Sequence, residues 1–220
     1  MASWWRDWLE LLAPPTCAGC RRATDPGAVL CPRCDTGLTR AGPVTPLPDR
    51  LDACVAAVTF SGATESWIHR FKYPRQGLAG LDPAARAVAN GLAREAAARA
   101  PGVPQLVVPV PLHALRLRAR SFNPACELAR EIARHAGAPL AATALERLRD
   151  TPSQTGLGRS ARVRNVRGAF AARQPMPPLV WLVDDVVTTG ATLSEAARAL
   201  RRAGARKVVG VCAAATPAPP

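Results

Sequence analysis

Two groups of residues in this 220-residue sequence have types and spacings that could do chemistry. The first is a set of four cysteines in two C-x-x-C pairs that are separated by ten residues: Cys17, Cys20, Cys31 and Cys34. Each C-x-x-C turn can point two thiolates at one ion, and two such turns complete a tetrahedron. The spacing therefore predicts a structural zinc site without an open coordination position. Disulfides and unligated reduced thiols are the alternatives, and a reducing compartment disfavours the disulfides.

The second group lies where an apolar run, residues 179–183, meets two adjacent acids and a short loop of small and hydroxyl residues before a helix. Backbone N–H groups of such a loop and the helix N-terminus form an anion site, and glycine allows close backbone approach. The carboxylates cannot bind phosphate, but they can accept hydrogen bonds from sugar hydroxyls or hold Mg²⁺ through water. The pattern thus predicts a site for a phosphate and a ribose diol; an incidental strand end with capping acids is the alternative. Its residues are Asp184, Asp185, Val186, Val187, Thr188, Thr189, Gly190, Ala191 and Thr192.

The elements that must position these residues alternate along the chain. Short apolar runs predict strands at residues 54–60, 105–110, 179–183 and 207–213, and helical spacing and caps predict helices at residues 62–72, 82–100, 121–135 and 192–203. Such alternation is typical of a parallel α/β sheet flanked by helices, which binds ligands at the carboxyl ends of its strands.

The N-terminal part is expected to form a separate small unit. We expect residues 1–45 to hold an N-terminal helix and the four-cysteine knuckle, and residues 46–220 to form the main domain, with the proline-rich residues 41–50 as the link. Tryptophans and leucines in residues 4–12 predict an amphipathic helix that packs on the knuckle or on a partner. The remaining cysteines, Cys54, Cys126 and Cys212, are expected to be buried apolar residues.

Composition narrows the class of protein. The chain is 48% hydrophobic and 20% charged, which excludes a wholly disordered chain. It has no apolar run of 18 residues, and charges interrupt its apolar N-terminus, so we expect no transmembrane segment, no secretory signal and a cytoplasmic location. The formal net charge is +13, and residues 113–173 hold 12 arginines against four acids. This concentration suggests an anionic partner, although a GC-rich coding sequence also produces arginine and alanine in excess.

The segment around the twin acids resembles the 5-phosphoribosyl 1-pyrophosphate (PRPP) signature of type I phosphoribosyltransferases. Other segments narrow the resemblance: residues 108–112 read VPVPL, residues 71–73 read FKY, and arginines, Phe122 and Asn123 follow the VPVPL run. Further matches lie between Arg147 and Phe170. Together with the knuckle, these features resemble the ComF family of competence-associated phosphoribosyltransferase-like proteins over about residues 9–215.

This resemblance implies a phosphoribosyltransferase-like fold and roles for individual residues. Asp184 and Asp185 would contact the ribose hydroxyls, residues 188–192 would hold the 5′-phosphate, and Mg²⁺ would accompany PRPP. Residues 147–168 would form a mobile hood over the site. Candidates for the pyrophosphate and hood contacts are Lys72, Arg116, Arg118, Arg120, Asn123, Arg162 and Asn165; a solvated basic loop and a surface lysine are the alternatives. No general base is evident, so the catalytic residues stay unassigned.

The sequence departs from the family at residue 121, where Ser stands in place of the usual glycine. If that glycine needs a positive φ, the loop is altered here. Pro124 also departs from the family, but it falls in the first turn of its helix, where proline is tolerated.

Three functions fit these observations. The first is a PRPP-dependent phosphoribosyltransferase that displaces pyrophosphate from C1 of the ribose, with an acceptor that the sequence does not reveal. The second is a non-catalytic accessory of DNA uptake that binds single-stranded DNA through the same pocket and a basic face. The third is a regulator that senses PRPP. Turnover and the oligomeric state cannot be read from the sequence.

Overall fold

The computed structural model describes residues 15–73, 83–149 and 164–217 of the chain. The strands are β1 (Ala53–Thr59), β2 (Leu106–Pro109), β3 (Leu145–Arg147), β4 (Phe170–Ala172), β5 (Leu179–Val187) and β6 (Lys207–Ala215). The helices are α1 (Pro32–Thr36), α2 (Ala63–Lys72), α3 (Pro83–Arg99), α4 (Ala114–Arg120), α5 (Pro124–Ala136) and α6 (Ala191–Arg202).

A four-stranded parallel sheet in the order β1–β6–β5–β2 forms the centre of the protein. Helices α2, α3 and α5 pack on one face together with Trp181 and Val183 of β5. Helix α6 and the antiparallel pair β3–β4 cover the other face, which presents Val180 and Leu182. Because both faces are buried, the central strands read as continuous apolar runs. The expected parallel α/β sheet flanked by helices is confirmed.

Two boundaries differ from the sequence prediction. Strand β5 does not end at Val183 but continues to Val187, because residues 184–187 keep their pairing with β6. The helix predicted at residues 121–135 begins at Pro124, and a separate helix, α4, precedes it. Ser121 ends α4 in the left-handed conformation, with φ of 64°, so the chain turns sharply between the two helices. Helical periodicity alone does not reveal such a break.

The segment predicted only as a link also has a structural role. Residues 39–44 run antiparallel along the outer edge of β1, with backbone hydrogen bonds from Ala41 N to Ala57 O (2.9 Å) and from Val44 N to Cys54 O (2.8 Å). An exposed parallel edge strand offers unpaired N–H and C=O groups to other chains. Residues 39–44 satisfy those groups on β1 and carry the chain from the cysteine unit to the main domain.

The four-cysteine unit packs on the sheet domain. Ala18, Val29 and Leu30 lie against the core on the α2–α3 face. A Cβ atom at Gly19 would lie 2.9 Å from the Trp67 ring and 3.0 Å from Cys34 Sγ, so glycine allows this close approach. The domain boundary expected near residue 45 stays a prediction, and the tryptophan-rich residues 4–12 lie outside the described residues.

Among the described helices, none combines the length and the apolar character needed to cross a membrane.

Candidate functional site

The site predicted from the twin acids lies at the carboxyl end of the central sheet. Strand β2 pairs with β5 only as far as Val183, and the N–H of Val110 makes the last hydrogen bond, to Val183 O (2.8 Å). Beyond that point β5 still pairs with β6 but no longer with β2. Asp184 and Asp185 therefore lie on a projecting strand end, where parallel sheets bind ligands.

The two aspartate side chains lie on opposite faces of the sheet, because they are neighbours on strand β5. Successive side chains of a strand alternate in direction. Asp185 has the same parity as Trp181 and Val183, so it lies on the face of α2, α3 and α5, whereas Asp184 lies on the face of α6 and β3. The sequence predicted that both carboxylates follow the strand. They instead lie within the strand, and each has a different set of neighbours.

A lysine pairs with one of these aspartates. Nζ of Lys72, the last residue of α2, lies 2.9 Å from Oδ1 of Asp185. Burial by itself would lower the pKa of Lys72, but the charge of Asp185 and a hydrogen bond to it outweigh burial and raise that pKa. The structure therefore brings a sequence-predicted candidate, Lys72, into direct contact with the acid pair.

Asp184 has a different electrostatic environment. Burial, and then the negative charge of Asp185, raise its pKa to about 7. The positive charges of Lys72 and Arg147 oppose this shift, and Asp184 Oδ1 accepts a hydrogen bond from the Asp185 N–H (2.9 Å). Like charges this close do not both ionise easily, so the charge of Asp185 favours the protonated form of Asp184.

The end of α2 connects the acid pair with the segment after α4. The Phe71 ring lies edge-on to the Phe122 ring, with centroids 6.0 Å apart. Arg120 lies 4.3 Å above the Tyr73 ring and donates a hydrogen bond to the Tyr73 hydroxyl. Residues 71–73 thus contact, in order, Phe122, Asp185 and Arg120.

The loop predicted to hold a phosphate has the expected strand–loop–helix geometry. Gly190 precedes α6 with φ of 72°, a conformation that favours glycine, and the hydroxyl of Thr189 lies 3.5 Å from Ala191 N. The space beside Gly190 is filled by protein, because a Cβ atom there would lie 2.5 Å from Pro48 Cγ. Here the glycine admits Pro48, a packing role that the sequence did not predict.

A cavity of about 350 Å³ opens beside this loop. Thr189 and Ala191 line it, and so do three arginines from separate segments, Arg50, Arg167 and Arg198. Asp49 and Glu195 line the same cavity, and Glu195 pairs with Arg198. The N-terminus of α6 adds a partial positive charge to these three arginines and two acids.

The other predicted residues lie in several elements of the fold. The Asn123 side chain caps α5 and donates to Val110 O (3.0 Å), so it fixes the chain between β2 and α5. Arg116 and Arg118 lie on α4, which has no buried residue, and Arg118 is exposed. Asn165 is half-buried in a helical turn before β4. Arg162, which was predicted to belong to the hood, lies outside the described residues.

Sequence reasoning left three residues of this site without a role. Tyr73 orients Arg120, Pro48 covers Gly190, and the charge of Arg147 acts on Asp184. Arg147 and Asn123 also line a common cavity of about 540 Å³. Arg147 and Tyr73 were visible within the family-like pattern, but no local signal linked Pro48 to Gly190, because 142 positions separate them.

The four predicted cysteines form one compact cluster. The Sγ atoms of Cys17, Cys20, Cys31 and Cys34 all lie within 4.8 Å of one another, and Cys20 Sγ is 3.7 Å from Cys31 Sγ. A tetrahedral Zn²⁺ with Zn–S bonds of about 2.3 Å requires sulfur atoms about 3.8 Å apart. The cluster can therefore hold a zinc ion.

The ionisation of these thiols also suits a cation. Hydrogen bonds from Arg22 lower the pKa of Cys20 to about 6, whereas burial, and then the neighbouring thiols, raise the pKa of Cys34 to about 12. A thiolate at Cys34 thus forms only with difficulty. A divalent ion would reverse this effect, because metal binding drives the release of thiol protons.

The remaining cysteines follow the sequence prediction except at one position. Cys54 and Cys212 are buried on adjacent strands, and a thiol–thiol hydrogen bond and burial raise the pKa of Cys212. Cys126 is only partly buried and lines the cavity beside Arg147, so its prediction as a core residue was wrong. It lies on the first turn of α5 and lines that cavity, whereas its neighbours Pro124 and Ala125 are buried.

Comparison with known proteins places these features in a family. The chain is 32% identical over 203 residues to the DNA utilization protein YhgH of Salmonella typhimurium, which covers 87% of this chain and 86% of the relative. The chain belongs to the ComF family. A second relative, Competence protein F of Haemophilus influenzae, is 34% identical over 110 residues, or 48% of each chain. The family resemblance predicted from the motifs is thereby confirmed. No protein-family model matches the chain.

Solved structures show distant likenesses to this family member. One is described as the allosteric regulatory enzyme of purine biosynthesis, with a TM-score of 0.44 and 21% identity over 66% of this chain. Another is the glutamine PRPP amidotransferase of B. subtilis, with a TM-score of 0.42 and 22% identity over 64% of this chain. This chain spans only 30% and 29% of those longer enzymes.

Proposed function

We propose that this ComF family member binds PRPP at the carboxyl end of β5 and transfers its phosphoribosyl group to an acceptor. The observation that carries the proposal is the continuous path from Asp184 and Asp185 through the left-handed Gly190 to the N-terminus of α6. It joins carboxylates that can accept hydrogen bonds from a ribose diol to a helix N-terminus that favours a phosphate. The cytoplasmic location expected from the sequence belongs to this proposal.

Several of the predicted residues have a part in the proposed complex. Residues 188–192 would hold the 5′-phosphate, and Asp185, with Asp184 beside it, would accept hydrogen bonds from the ribose hydroxyls. Lys72, Arg120 and the other arginines of α4 would stabilise the departing pyrophosphate, whose negative charge grows as the bond at C1 breaks. The domain division near residue 45 belongs to this proposal.

The two metal ions would have separate roles. The cysteine cluster fits a structural zinc ion, since all four ligand positions are cysteines. Mg²⁺ is usually bound by one or two carboxylates together with substrate phosphates. Asp185 is paired with Lys72, and Asp184 has a raised pKa, so the site fits Mg²⁺ that arrives on the pyrophosphate better than Mg²⁺ held by the protein alone. Such an ion would supply charge stabilisation for the leaving group.

Calorimetry with PRPP and Mg²⁺ on the intact protein tests the proposal. We expect saturable binding that is lost in Asp185→Asn and kept in Asp25→Asn, a matched change at an exposed loop residue. A screen of bases for pyrophosphate release then tests transfer. If the wild type shows no binding of PRPP with or without Mg²⁺, the proposed function is wrong.

A second candidate function is binding of single-stranded DNA without turnover. The relatives are named for DNA utilization and competence, and α4 carries three arginines on a helix without a buried residue. Phosphate contacts make affinity fall with salt. We expect Arg118→Gln to reduce the salt slope of binding by about one, with Arg33→Gln, an exposed arginine on α1, as control. A salt-independent affinity, or none, argues against this candidate.

A further inference from the structure

The acid pair raises an electrostatic problem for the proposed ligand. PRPP and ribose phosphates are polyanions, and the Asp185 carboxylate at the sugar site would repel them unless a cation offsets its charge. Related chemistry commonly uses a divalent ion for this purpose. In this chain the ammonium group of Lys72 already lies beside Asp185.

Lys72 is held against Asp185 by the fold. Its Nζ lies 2.9 Å from Asp185 Oδ1, and the two side chains are only 23% and 14% exposed. The contact arises because Lys72 ends α2 directly after Phe71, which is 1% exposed and packed in the core. The raised pKa of Lys72 shows that the ammonium keeps its charge there.

The positive groups around the acids come from separate elements. Arg120, oriented by Tyr73, acts electrostatically on Lys72. Arg147 of β3 acts on Asp184 from the other face of the sheet. An ammonium group has three N–H donors. One donor binds Asp185, which leaves donors for oxygen atoms of a ligand that lies over the strand end.

We propose that Lys72 takes the place of a divalent cation at Asp185, so that the ribose phosphate part of the ligand binds without a metal ion. The ammonium neutralises Asp185, keeps its oxygen atoms oriented for the ribose hydroxyls and donates to the ligand. Mg²⁺ would then act only on the pyrophosphate. This inference rests on the proposed function and assigns Lys72 as a binding residue of the same site.

Calorimetry with ribose 5-phosphate, which lacks the pyrophosphate, separates the two roles. The intact protein is titrated in buffer freed of divalent ions by a chelating resin and again with excess MgCl₂. We expect the wild-type Kd to differ by less than about threefold between the buffers, whereas Lys72→Met weakens binding by about tenfold or more without Mg²⁺, about 1.4 kcal/mol, and partly recovers with it. Lys72→Arg keeps the charge and should bind without Mg²⁺.

The chain offers a matched control. Lys207, the other lysine of the sequence, is exposed at the start of β6, at the opposite end of the sheet. Lys207→Met should bind ribose 5-phosphate like the wild type in both buffers. A thermal melt of each variant shows whether it is folded, and the wild-type comparison of the two buffers needs no substitution.

The outcomes distinguish this inference from the proposed function. Binding of ribose 5-phosphate by the wild type only when Mg²⁺ is present would overturn the role of Lys72 and leave the proposed function intact. Metal-free binding by Lys72→Met as tight as that of the wild type would also overturn it. Absence of wild-type binding to both ribose 5-phosphate and PRPP, in both buffers, would remove the proposed function and this inference together.

Discussion

Lys72 pairs with Asp185 and thereby makes the two neighbouring aspartates unequal. The Nζ–Oδ1 distance is 2.9 Å, while Asp184 lies on the other face of the sheet and has its pKa raised to about 7 by burial and by the charge of Asp185. A sequence motif of two identical residues thus becomes, in the folded protein, an ion-paired carboxylate beside a carboxyl group that titrates near neutral pH.

This raised pKa predicts that stability depends on pH. The ordinary pKa of the carboxyl group is 3.8, so as pH rises Asp184 loses its proton at a lower pH in the unfolded chain than in the folded protein. The stability that the protonated Asp184 contributes is therefore fully present below about pH 4 and is lost as pH rises to about 7. The asparagine side chain of Asp184→Asn cannot ionise. We therefore expect the free energy of unfolding of this variant to exceed that of the wild type by about 1–2 kcal/mol at pH 8, with little difference at pH 4. Urea unfolding at several pH values measures this.

Asp25→Asn serves as the control for that series, because Asp25 is exposed. It should follow the wild-type pH profile. An Asp184→Asn profile parallel to that of the wild type between pH 4 and pH 8 would show that Asp184 titrates at its ordinary pKa.

The cysteine cluster predicts one zinc ion per chain. Its four sulfur atoms lie within 4.8 Å of one another, and a structural zinc ion stabilises the folded state that holds it. Elemental analysis of protein purified without chelator should give about one equivalent, and a strong chelator should lower the Tm. Cys34→Ser should lose the metal, whereas Cys126→Ser, outside the cluster, should keep it. A zinc content under about half an equivalent in the wild type contradicts this expectation.

Gly190 is expected to tolerate no side chain. A Cβ atom would lie 2.5 Å and 2.6 Å from Pro48 atoms, and the φ of 72° is itself unfavourable for other residues. Gly190→Ala should lower the free energy of unfolding by about 2–4 kcal/mol. Gly91 on α3 has open space at the same position, so Gly91→Ala should raise it by about 0.5–1 kcal/mol. Equal effects of both substitutions in urea unfolding would show that Pro48 does not constrain Gly190.

Ser121 and Gly137 provide a reciprocal test of left-handed helix ends. Both end a helix at almost the same φ, 64° and 63°, and a Cβ atom at Gly137 would meet nothing within 4 Å. Ser121→Gly should therefore stabilise the protein by about 0.5–1 kcal/mol, and Gly137→Ser should destabilise it by a similar amount. Thermal or urea unfolding measures both. Destabilisation by Ser121→Gly would show that the serine side chain has a role of its own there.

That serine also shows how the structure answers a question raised by the sequence. The family resemblance led us to expect glycine at position 121, and the serine that stands there has a positive φ. The turn is kept in spite of the side chain, because the Ser121 N–H bonds to Leu117 O (2.8 Å) and closes α4. The sequence marked the position as unusual, and only the backbone showed that the turn tolerates the change.

Periodic patterns predicted most of the core elements. Residues 62–72 were correctly placed because their apolar residues recur at helical spacing, and residues 207–213 because they form a short apolar run of strand length. The short strands β3 and β4 were missed, since three residues give no period. Helix α4 was missed for a related reason: it buries nothing, so it has no apolar face to detect.

The amino-acid sequence by itself determined the chemistry: four thiols at metal-binding spacing, two acids before a phosphate-type loop, and the family to which the chain belongs. These features are local, so the spacing of a few residues encodes them. Tertiary structure alone decided that Lys72 reaches Asp185, that Asp184 is directed to the opposite face, and that Pro48 packs on Gly190. Such contacts join segments far apart in the chain, and they depend on how helices and strands pack, which no local pattern records.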